Sequence, residues 1–204
     1  MVRASTAAPT YFKPQILEVG QKDKPQPAAF IDGGLSMANN PSLNLLMVAT
    51  LKGFPFQWPM GEDKMFLVSL GTGVRNFKRK VKEIDNAWLG TWAASIPEIL
   101  MQDASWQNQL LMQWLSNSDT AESLDSEIGK LDGDYISGSP LLTYLRYNVQ
   151  FTAKELNALN IGRTFTEEDA LNISDMANPK NKELLFEIGS AASSAIKAEH
   201  FAKF

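Results

Sequence analysis

The sequence predicts an α/β fold from the order of two apolar runs and the helix between them. The first run, Ala28 to Ile31, indicates a strand that ends on Asp32-Gly33-Gly34. A helical segment follows from about Pro41 to Lys52, and the second run, residues 65–70, is bounded by Gly71-Thr72-Gly73. Strand, helix and strand in this order, with a crossover between the strands, are typical of a parallel sheet covered by helices.

The composition is that of one ordinary globular domain. The chain has 204 residues, of which 44% are hydrophobic and 21% are charged. Because it has no cysteine, a disulfide framework, a thiol nucleophile and a thiolate metal site are excluded. The net charge of −4 gives no electrostatic basis for binding nucleic acid. No apolar run approaches the roughly 18 residues of a membrane span, so we expect a cytoplasmic location, with peripheral contact to a membrane left open.

Prolines, glycines and the spacing of apolar residues predict the loops and the helix in the first half of the chain. Residues 18–27 indicate an exposed loop, and residues 54–64 indicate a proline-broken loop with exposed aromatic side chains. The helix from Pro41 to Lys52 is apolar nearly all round and should therefore be well buried. Asn40 is its expected N-cap and Gly53 its expected C-cap.

The second strand and its glycine turn have two interpretations. A continuous apolar run such as residues 65–70 fits a strand buried on both faces, as in a parallel sheet. The Gly71-Thr72-Gly73 turn is expected to be a tight turn that leaves a central strand. Alternatively, its backbone N–H groups could cradle an anion.

Helical periodicity dominates the middle of the chain. The basic run from Arg75 to Lys82 predicts a solvated loop, with contact to lipid headgroups as the alternative. An aromatic-rich helical segment, interrupted at Pro97, then continues to Leu115, with apolar residues at intervals of three and four. We expect a pair of amphipathic helices that cover the sheet. Its tryptophans could instead lie at a membrane interface or line an acyl pocket.

The last third of the chain contains a loop, one strand and several helices. Residues 116–140 indicate a loop with a short turn at Asp132-Gly133-Asp134. Residues 145–151 alternate between apolar and polar, which is typical of a half-buried strand. Thr166 and Asp169 fit a capping box, and a final helix is expected from about Asn181 to Ala202.

Asp32 is the candidate functional residue. An acid at the end of a strand, on a turn that only glycine tolerates, is a common way to present a carboxylate to a cleft. The same pattern also fits an ordinary turn with a solvated aspartate. The one histidine, His200, lies near the end of the sequence and is expected to be a surface residue, so hydrolytic chemistry here would proceed without histidine. We expect no metal and no cofactor.

Several motifs, in this order and spacing, resemble the second half of a patatin-like phospholipase of the bacterial type. The similarity extends over essentially the whole chain. The motifs are Ala4-Ser5-Thr6-Ala7-Ala8-Pro9-Thr10-Tyr11-Phe12, Phe30-Ile31-Asp32-Gly33-Gly34, Asn39-Asn40-Pro41, Val68-Ser69-Leu70-Gly71-Thr72-Gly73, Ser139-Pro140-Leu141-Leu142-Thr143-Tyr144 with Arg146-Tyr147-Asn148, and the leucine-rich last helix.

The resemblance implies a three-layer α/β/α fold and a lipid acyl hydrolase that uses a Ser-Asp dyad. The aspartate of the Asp-Gly-Gly motif, Asp32, would be the general base that accepts the serine proton and later activates water. The implied substrate is a lipid ester. Residues 1–204 would be the C-terminal portion of the domain, with a helical cap and tail from about residue 83 onward.

The family's nucleophile motif, Gly-x-Ser-x-Gly before the aspartate, and its glycine-rich oxyanion loop are missing from this sequence. The segment closest to that motif is Gly34-Leu35-Ser36-Met37-Ala38, which lies inside the aspartate motif itself, so Ser36 is not the expected nucleophile. We therefore expect the chain alone to be inactive and a partner chain or segment to supply the missing half. The alternative is a non-catalytic lipid- or protein-binding remnant of the fold.

Overall fold

The computed structural model describes residues 2–9, 11–75, 81–175 and 177–204, and it has a mixed α/β architecture. The N-terminal elements are helix α1, the strands β1 and β2, a 3-10 turn and helix α2, at Val2–Ser5, Gln15–Gln21, Lys24–Phe30, Gly33–Leu35 and Ser42–Thr50. Strand β3, helices α3 and α4 and strands β4 and β5 follow at Phe66–Leu70, Val81–Asp85, Leu89–Leu115, Ser116–Asn117 and Leu142–Tyr147. Helices α5, α6 and α7 span Ala153–Ala158, Glu167–Ile173 and Lys182–Ala192, with 3-10 turns at Pro179–Asn181, Ser193–Ala195 and Ala198–Phe201.

Three parallel strands form the central sheet in the order β3-β5-β4. Phe66 pairs with Thr143 and Leu70 with Tyr147, and an isolated bridge between Val74 and Gln150 extends this pairing. The α/β prediction is therefore confirmed as a mixed fold with a parallel sheet. The predicted crossover through α2 is wrong, because the strand before Asp32, β2, pairs antiparallel with β1 in a separate sheet and β3 pairs with β5 instead. Helices α2 and α4 pack on the sheet around one apolar core, which contains Leu46, Ala49, Met65, Leu67, Met112, Leu142 and Tyr144.

A second core joins the three short helices that follow the sheet. Its central side chain is Leu156, which is fully buried. Thr166 and Asp169 form the predicted capping box at the start of α6, because each side chain accepts a hydrogen bond from the backbone of the other. This second core contains Phe151, Leu156, Phe165, Ala170, Ile173 and Ile188.

The predicted exposed loop over residues 18–27 is instead part of a β-hairpin. Strands β1 and β2 pair antiparallel over their whole length, although both remain largely exposed. The prolines that suggested a loop, Pro25 and Pro27, lie two residues apart in β2. Because hydrogen bonding alternates along an antiparallel pair, both missing N–H groups fall on the outer side of the hairpin.

Helix α2 is less buried than predicted. Only Ser42, Leu46 and Ala49 are buried, since the sheet covers one side of the helix. The helix ends at Leu51, whose extended backbone is the C-cap, so the prediction that Gly53 caps it was wrong. Pro41 is the N-cap residue.

The burial of β3 and β5 also differs from the prediction. Strand β3 buries Leu67 and Ser69 on one face and exposes Val68 and Leu70 on the other, so it is not buried on both faces. Strand β5 starts earlier than predicted, at Leu142, and its first four residues are all buried. The central strand of a parallel sheet has two covered faces, which removes the alternation that was expected after residue 145.

Helix α4 runs through Pro97 without interruption, which corrects the prediction of a helix pair. Pro97 and Ala93 are both exposed. Water can therefore reach the Ala93 carbonyl, which loses its helical donor to the proline. The second half of α4 covers the sheet, whereas the first half leaves an apolar stripe exposed at Trp88, Leu89, Trp92, Ile96 and Leu100.

Two further predictions concern helix lengths and the basic run. The final helix, α7, ends at Ala192 and is continued by 3-10 turns, so it is shorter than predicted. Residues 76–80 of the basic run lie outside the described residues. Within the described ranges, no helix is both long and apolar enough to cross a bilayer.

Candidate active site

The Asp32 carboxylate lies where the hairpin strand β2 leads into the 3-10 turn. Its Oδ1 accepts a hydrogen bond from the Gly34 backbone N–H at 2.7 Å, which makes Asp32 the N-cap of that turn. The Asp32 backbone N–H donates to the Ala7 carbonyl at 3.1 Å, so the N-terminal segment fixes the same residue. Among the described residues, no group donates to Oδ2. One oxygen is thus anchored and the other is available.

The two glycines after Asp32 leave room for this arrangement. A Cβ on Gly34 would lie 3.0 Å from Asp32 Oδ1, and a Cβ on Gly33 would lie 3.1 Å from the Cβ of Ala38. Both distances are tighter than ordinary van der Waals contact. Gly34 therefore lets the backbone approach the carboxylate closely, whereas Gly33 leaves room for the Ala38 side chain.

Asn40 connects this turn to the sheet. It is buried, and its Oδ1 accepts hydrogen bonds from the Ser42 backbone N–H at 3.3 Å and the Ser42 hydroxyl at 2.7 Å. The hydroxyl of Ser69, in β3, donates to the same oxygen at 3.4 Å, and Arg146 in β5 donates to Ser69 at 2.6 Å. Asn40 lies one residue before the N-cap, Pro41, so the prediction that it is the N-cap was wrong. Its side chain still accepts from the first residue of α2 and ties the Asp32 segment to both strands.

Replacing Asn40 with alanine is expected to lower the free energy of unfolding by about 2–3 kcal/mol, because three buried donors lose their acceptor. Urea unfolding followed by circular dichroism measures this difference. Asn39→Ala is the matched control. Asn39 is exposed and, within the described part of the chain, its side chain makes one hydrogen bond, to Ser105, so its loss should cost less than about 1 kcal/mol. Equal costs for both variants would contradict the role assigned to Asn40.

The Gly71-Thr72-Gly73 turn is a close-packed turn and has few free N–H groups. The Gly71 N–H donates to the Tyr147 carbonyl at 2.8 Å, and the Gly73 N–H donates to Asn148 Oδ1 at 2.9 Å. A Cβ on Gly71 would lie 2.1 Å from Asn148 Oδ1, and one on Gly73 would lie 2.1 Å from the Phe151 ring. The tight-turn interpretation is therefore favoured over an anion cradle.

Ser36 does not face Asp32. Its hydroxyl donates to the Gly33 carbonyl at 2.9 Å, and its φ of −126° is an ordinary extended value. A nucleophile elbow requires a sharp, strained turn at the serine. The geometry at Ser36 is consistent with the expectation that it is not the nucleophile.

His200 is not a free surface residue, which corrects the expectation from the sequence. Its Nδ1 lies 2.7 Å from the Tyr147 hydroxyl, at the carboxyl end of β5, and the two rings stack 5.9 Å apart. Burial raises the pKa of Tyr147, and the nearby charge of Asp119 adds to this. The two residues are far apart in the sequence and share no motif, so their pairing gave no signal before the fold was known.

Glu122 is a second group that the sequence did not single out. Its Oε2 accepts a hydrogen bond from Gln150 at 3.2 Å, and its backbone N–H donates to the buried side chain of Gln113. Burial raises the pKa of Glu122, against the smaller opposing effects of the Gln150 hydrogen bond and the Arg146 charge. An acid with a raised pKa in the folded state destabilises the fold once it ionises.

Glu122→Gln is therefore expected to be more stable than the wild type at pH 7. Because the wild-type carboxyl is neutral in both states at low pH, the advantage should shrink as the pH falls through the raised pKa and vanish below the ordinary glutamate pKa. Urea unfolding at several pH values measures it. Glu127→Gln, an exposed site in the same loop, controls for the change in net charge. An advantage that is constant with pH would contradict this origin.

The described residues hold no cluster of three histidine, aspartate or glutamate side chains that could bind a metal ion. The candidate site is thus a single carboxylate, Asp32, on a glycine turn that buried hydrogen bonds tie to the sheet.

The chain matches no protein-family model. No curated protein and no solved structure shows significant similarity to it either. The residues and geometry described above are therefore the basis for a functional assignment.

Proposed function

We propose that this chain contributes the acidic member of a Ser-Asp dyad to a lipid acyl hydrolase. Asp32 is the general base, and the nucleophilic serine comes from outside these 204 residues. The observation that supports this best is the hydrogen bonding of the Asp32 carboxylate. Its Oδ1 is fixed by the Gly34 N–H at 2.7 Å, and no described residue donates to its Oδ2. A base needs this combination of fixed orientation and one free oxygen.

In this proposal Asp32 acts in both halves of ester hydrolysis. It accepts the proton of the serine hydroxyl as the serine oxygen attacks the ester carbonyl, and it returns this proton to the alcohol oxygen as the ester C–O bond breaks. It then accepts a proton from the water that attacks the acyl-serine and passes it to the serine oxygen as the fatty acid is released, which regenerates both serine and carboxylate. The contact of His200 with Tyr147 agrees with a reaction that does not use an imidazole.

The free edge of the sheet supports the proposal that another segment completes the domain. Strand β3 lies at the edge of the sheet, and its sequence, FLVSL, has neither the charges nor the prolines that usually protect an edge. Parallel sheets are normally covered on both faces, whereas Val68 and Leu70 of β3 are exposed. A strand from the segment that carries the serine would pair here.

Labelling with a fluorophosphonate, which reacts with activated serines, tests the proposal. The chain alone should remain unlabelled and should not hydrolyse p-nitrophenyl esters. A longer or reconstituted protein that includes a Gly-x-Ser-x-Gly segment should be labelled at that serine. Turnover by the chain alone, abolished by Asp32→Ala combined with Ser36→Ala, would overturn the assignment of the serine to another segment. The coding sequence upstream of Met1 shows whether such a segment adjoins it.

The alternative is a non-catalytic lipid- or protein-binding module. The exposed apolar stripe on the first half of α4 favours it, because such a stripe is typical of a surface that binds a partner. A stable native monomer without any serine-bearing segment would support this alternative.

A further inference from the structure

The most unusual surface in the described chain is the loop between α2 and β3. All ten residues from 51 to 60, here called the aromatic loop, are exposed. Its large side chains are about half exposed, with values of 50% for Leu51, 40% for Phe54, 54% for Phe56, 59% for Trp58 and 47% for Met60. Soluble proteins rarely leave so many neighbouring apolar side chains in water without a partner.

The loop holds these side chains in a fixed arrangement. At the start of the loop the Leu51 N–H donates to the Met47 carbonyl at 2.9 Å, and just after its end the Gly61 N–H donates to the Leu141 carbonyl at 2.7 Å. The backbone N–H of Trp58 donates to the Ala49 carbonyl at 2.7 Å, which ties the loop back to α2, and the rings of Phe56 and Trp58 meet edge to face at 6.1 Å. Between them Gln57 has a φ of 44°, a left-handed backbone conformation that residues other than glycine seldom adopt. Such local strain often accompanies a functional surface.

The charges around the loop fit a lipid headgroup layer. No charged residue lies between Lys52 and Glu62, so the apolar side chains of the loop can move from water into an apolar phase without desolvating an ion. At its base, Lys52 and Lys64 form no ion pair with any residue the structure describes, whereas Glu62 is neutralised by Lys203 at 2.9 Å. Within residues 51–64, Asp63 is the one acid left once Glu62 is paired, so the two lysines leave this segment weakly positive in an otherwise acidic chain.

From these observations we propose that the aromatic loop is a membrane-docking element. Phe56, Trp58 and their apolar neighbours insert into the interface between headgroups and acyl chains, while Lys52 and Lys64 contact anionic headgroups. A bilayer suits the loop better than a protein strand does, because Pro55 and Pro59 remove N–H groups that strand pairing would need. The docking does not depend on the chemistry of Asp32.

Cosedimentation with vesicles tests the proposal. The wild-type chain should bind phosphatidylcholine vesicles and bind more strongly when anionic phosphatidylglycerol is added. Phe56→Ser with Trp58→Ser should lower the partition coefficient at least about ten-fold. Phe186→Ser, on α7, is the control, because this side chain is even more exposed, at 73%, lies outside both the aromatic loop and the apolar stripe of α4, and should not affect binding.

Two further variants separate the contributions. Lys52→Gln with Lys64→Gln should weaken binding only to the anionic vesicles, by about five-fold for each lysine. The Trp58→Phe variant should still bind. Because it lacks the inserted tryptophan, brominated acyl chains should quench the tryptophan fluorescence of this variant less than that of the wild type. Asp32→Asn should bind like the wild type, so that a failure of docking and a failure of the proposed catalysis can be told apart.

Three results would overturn the proposal. The first is a wild-type chain that does not sediment with either kind of vesicle. The second is an equal loss of binding in the α7 control, which would indicate nonspecific hydrophobic adsorption. The third is a loop variant that changes the monomer-dimer equilibrium in solution but not vesicle binding, which would identify the loop as a protein contact.

Discussion

Gly73→Ala is expected to lower the free energy of unfolding by about 3 kcal/mol or more. Gly73 has a φ of 98°, where an alanine costs about 1–2 kcal/mol. Its new Cβ would also lie 2.1 Å from the Phe151 ring, which belongs to the second core, and such overpacking costs about 1–3 kcal/mol. The Gly73 N–H could then no longer keep its hydrogen bond to Asn148 without distortion.

Substitutions at two other glycines separate the cost of the positive φ from the cost of the contact with Phe151. Gly133 also has a positive φ, of 76°, but open space around it, so Gly133→Ala should cost only about 1–2 kcal/mol. Gly189 lies in helix α7 with nothing near its Cβ position, so Gly189→Ala should stabilise the protein by up to about 1 kcal/mol. Thermal or urea unfolding ranks the three variants. If Gly73→Ala were no worse than Gly133→Ala, the contact with Phe151 would have no energetic role.

Asp32→Asn should abolish most of the ester hydrolysis in a protein that contains both this chain and the proposed serine. Asparagine keeps the Oδ1 acceptor for the Gly34 N–H, so the turn should be retained. It cannot accept the serine proton, and loss of a general base typically lowers kcat by about 10²–10⁴-fold. Steady-state kinetics on a soluble ester should show this fall in kcat with little change in KM.

Asp23→Asn is the matched control for this experiment, because Asp23 is an exposed acid at the tip of the same hairpin. Its activity should equal that of the wild type. Unfolding curves that coincide for Asp32→Asn and the wild type would confirm that the turn is intact. Normal hydrolysis by Asp32→Asn would exclude Asp32 as the base.

Local signals in the sequence predicted the parts of the fold that local physics determines. The capping box at Thr166 and Asp169 depends on four consecutive residues, and the structure contains it as expected. The strand before Asp32 and the helix after Asn40 were likewise predicted from short patterns, and both are present within a few residues. Helix and strand ends were less accurate, because neighbouring elements decide them.

The errors arose where tertiary contacts override local preference. Pro97 should end a helix, but α4 continues through it because the freed carbonyl is on an exposed side. Strand β5 does not alternate in burial, because both faces are covered: Leu142 and Tyr144 are buried on one face, and Thr143 and Leu145 on the other.

The candidate site likewise has one part that the local sequence predicts and another that only tertiary contacts determine. The Asp32-Gly33-Gly34 turn is contiguous, so its carboxylate and the need for glycine could be predicted. The residues that support it are distant in sequence, since Ser69 and Arg146 reach Asn40 only through the sheet. Nothing local to any of these residues indicates the contact.

The strand order has a consequence for how the protein is made. β3 lies beside β5, yet β5 is translated long after it. At a synthesis rate of about 5–20 residues per second, the apolar FLVSL segment would wait about 4–15 s for its neighbour on the ribosome. Chaperones that bind nascent apolar segments would find it available throughout that delay. The yield of native protein should therefore depend on translation speed through residues 71–141 more than on speed elsewhere.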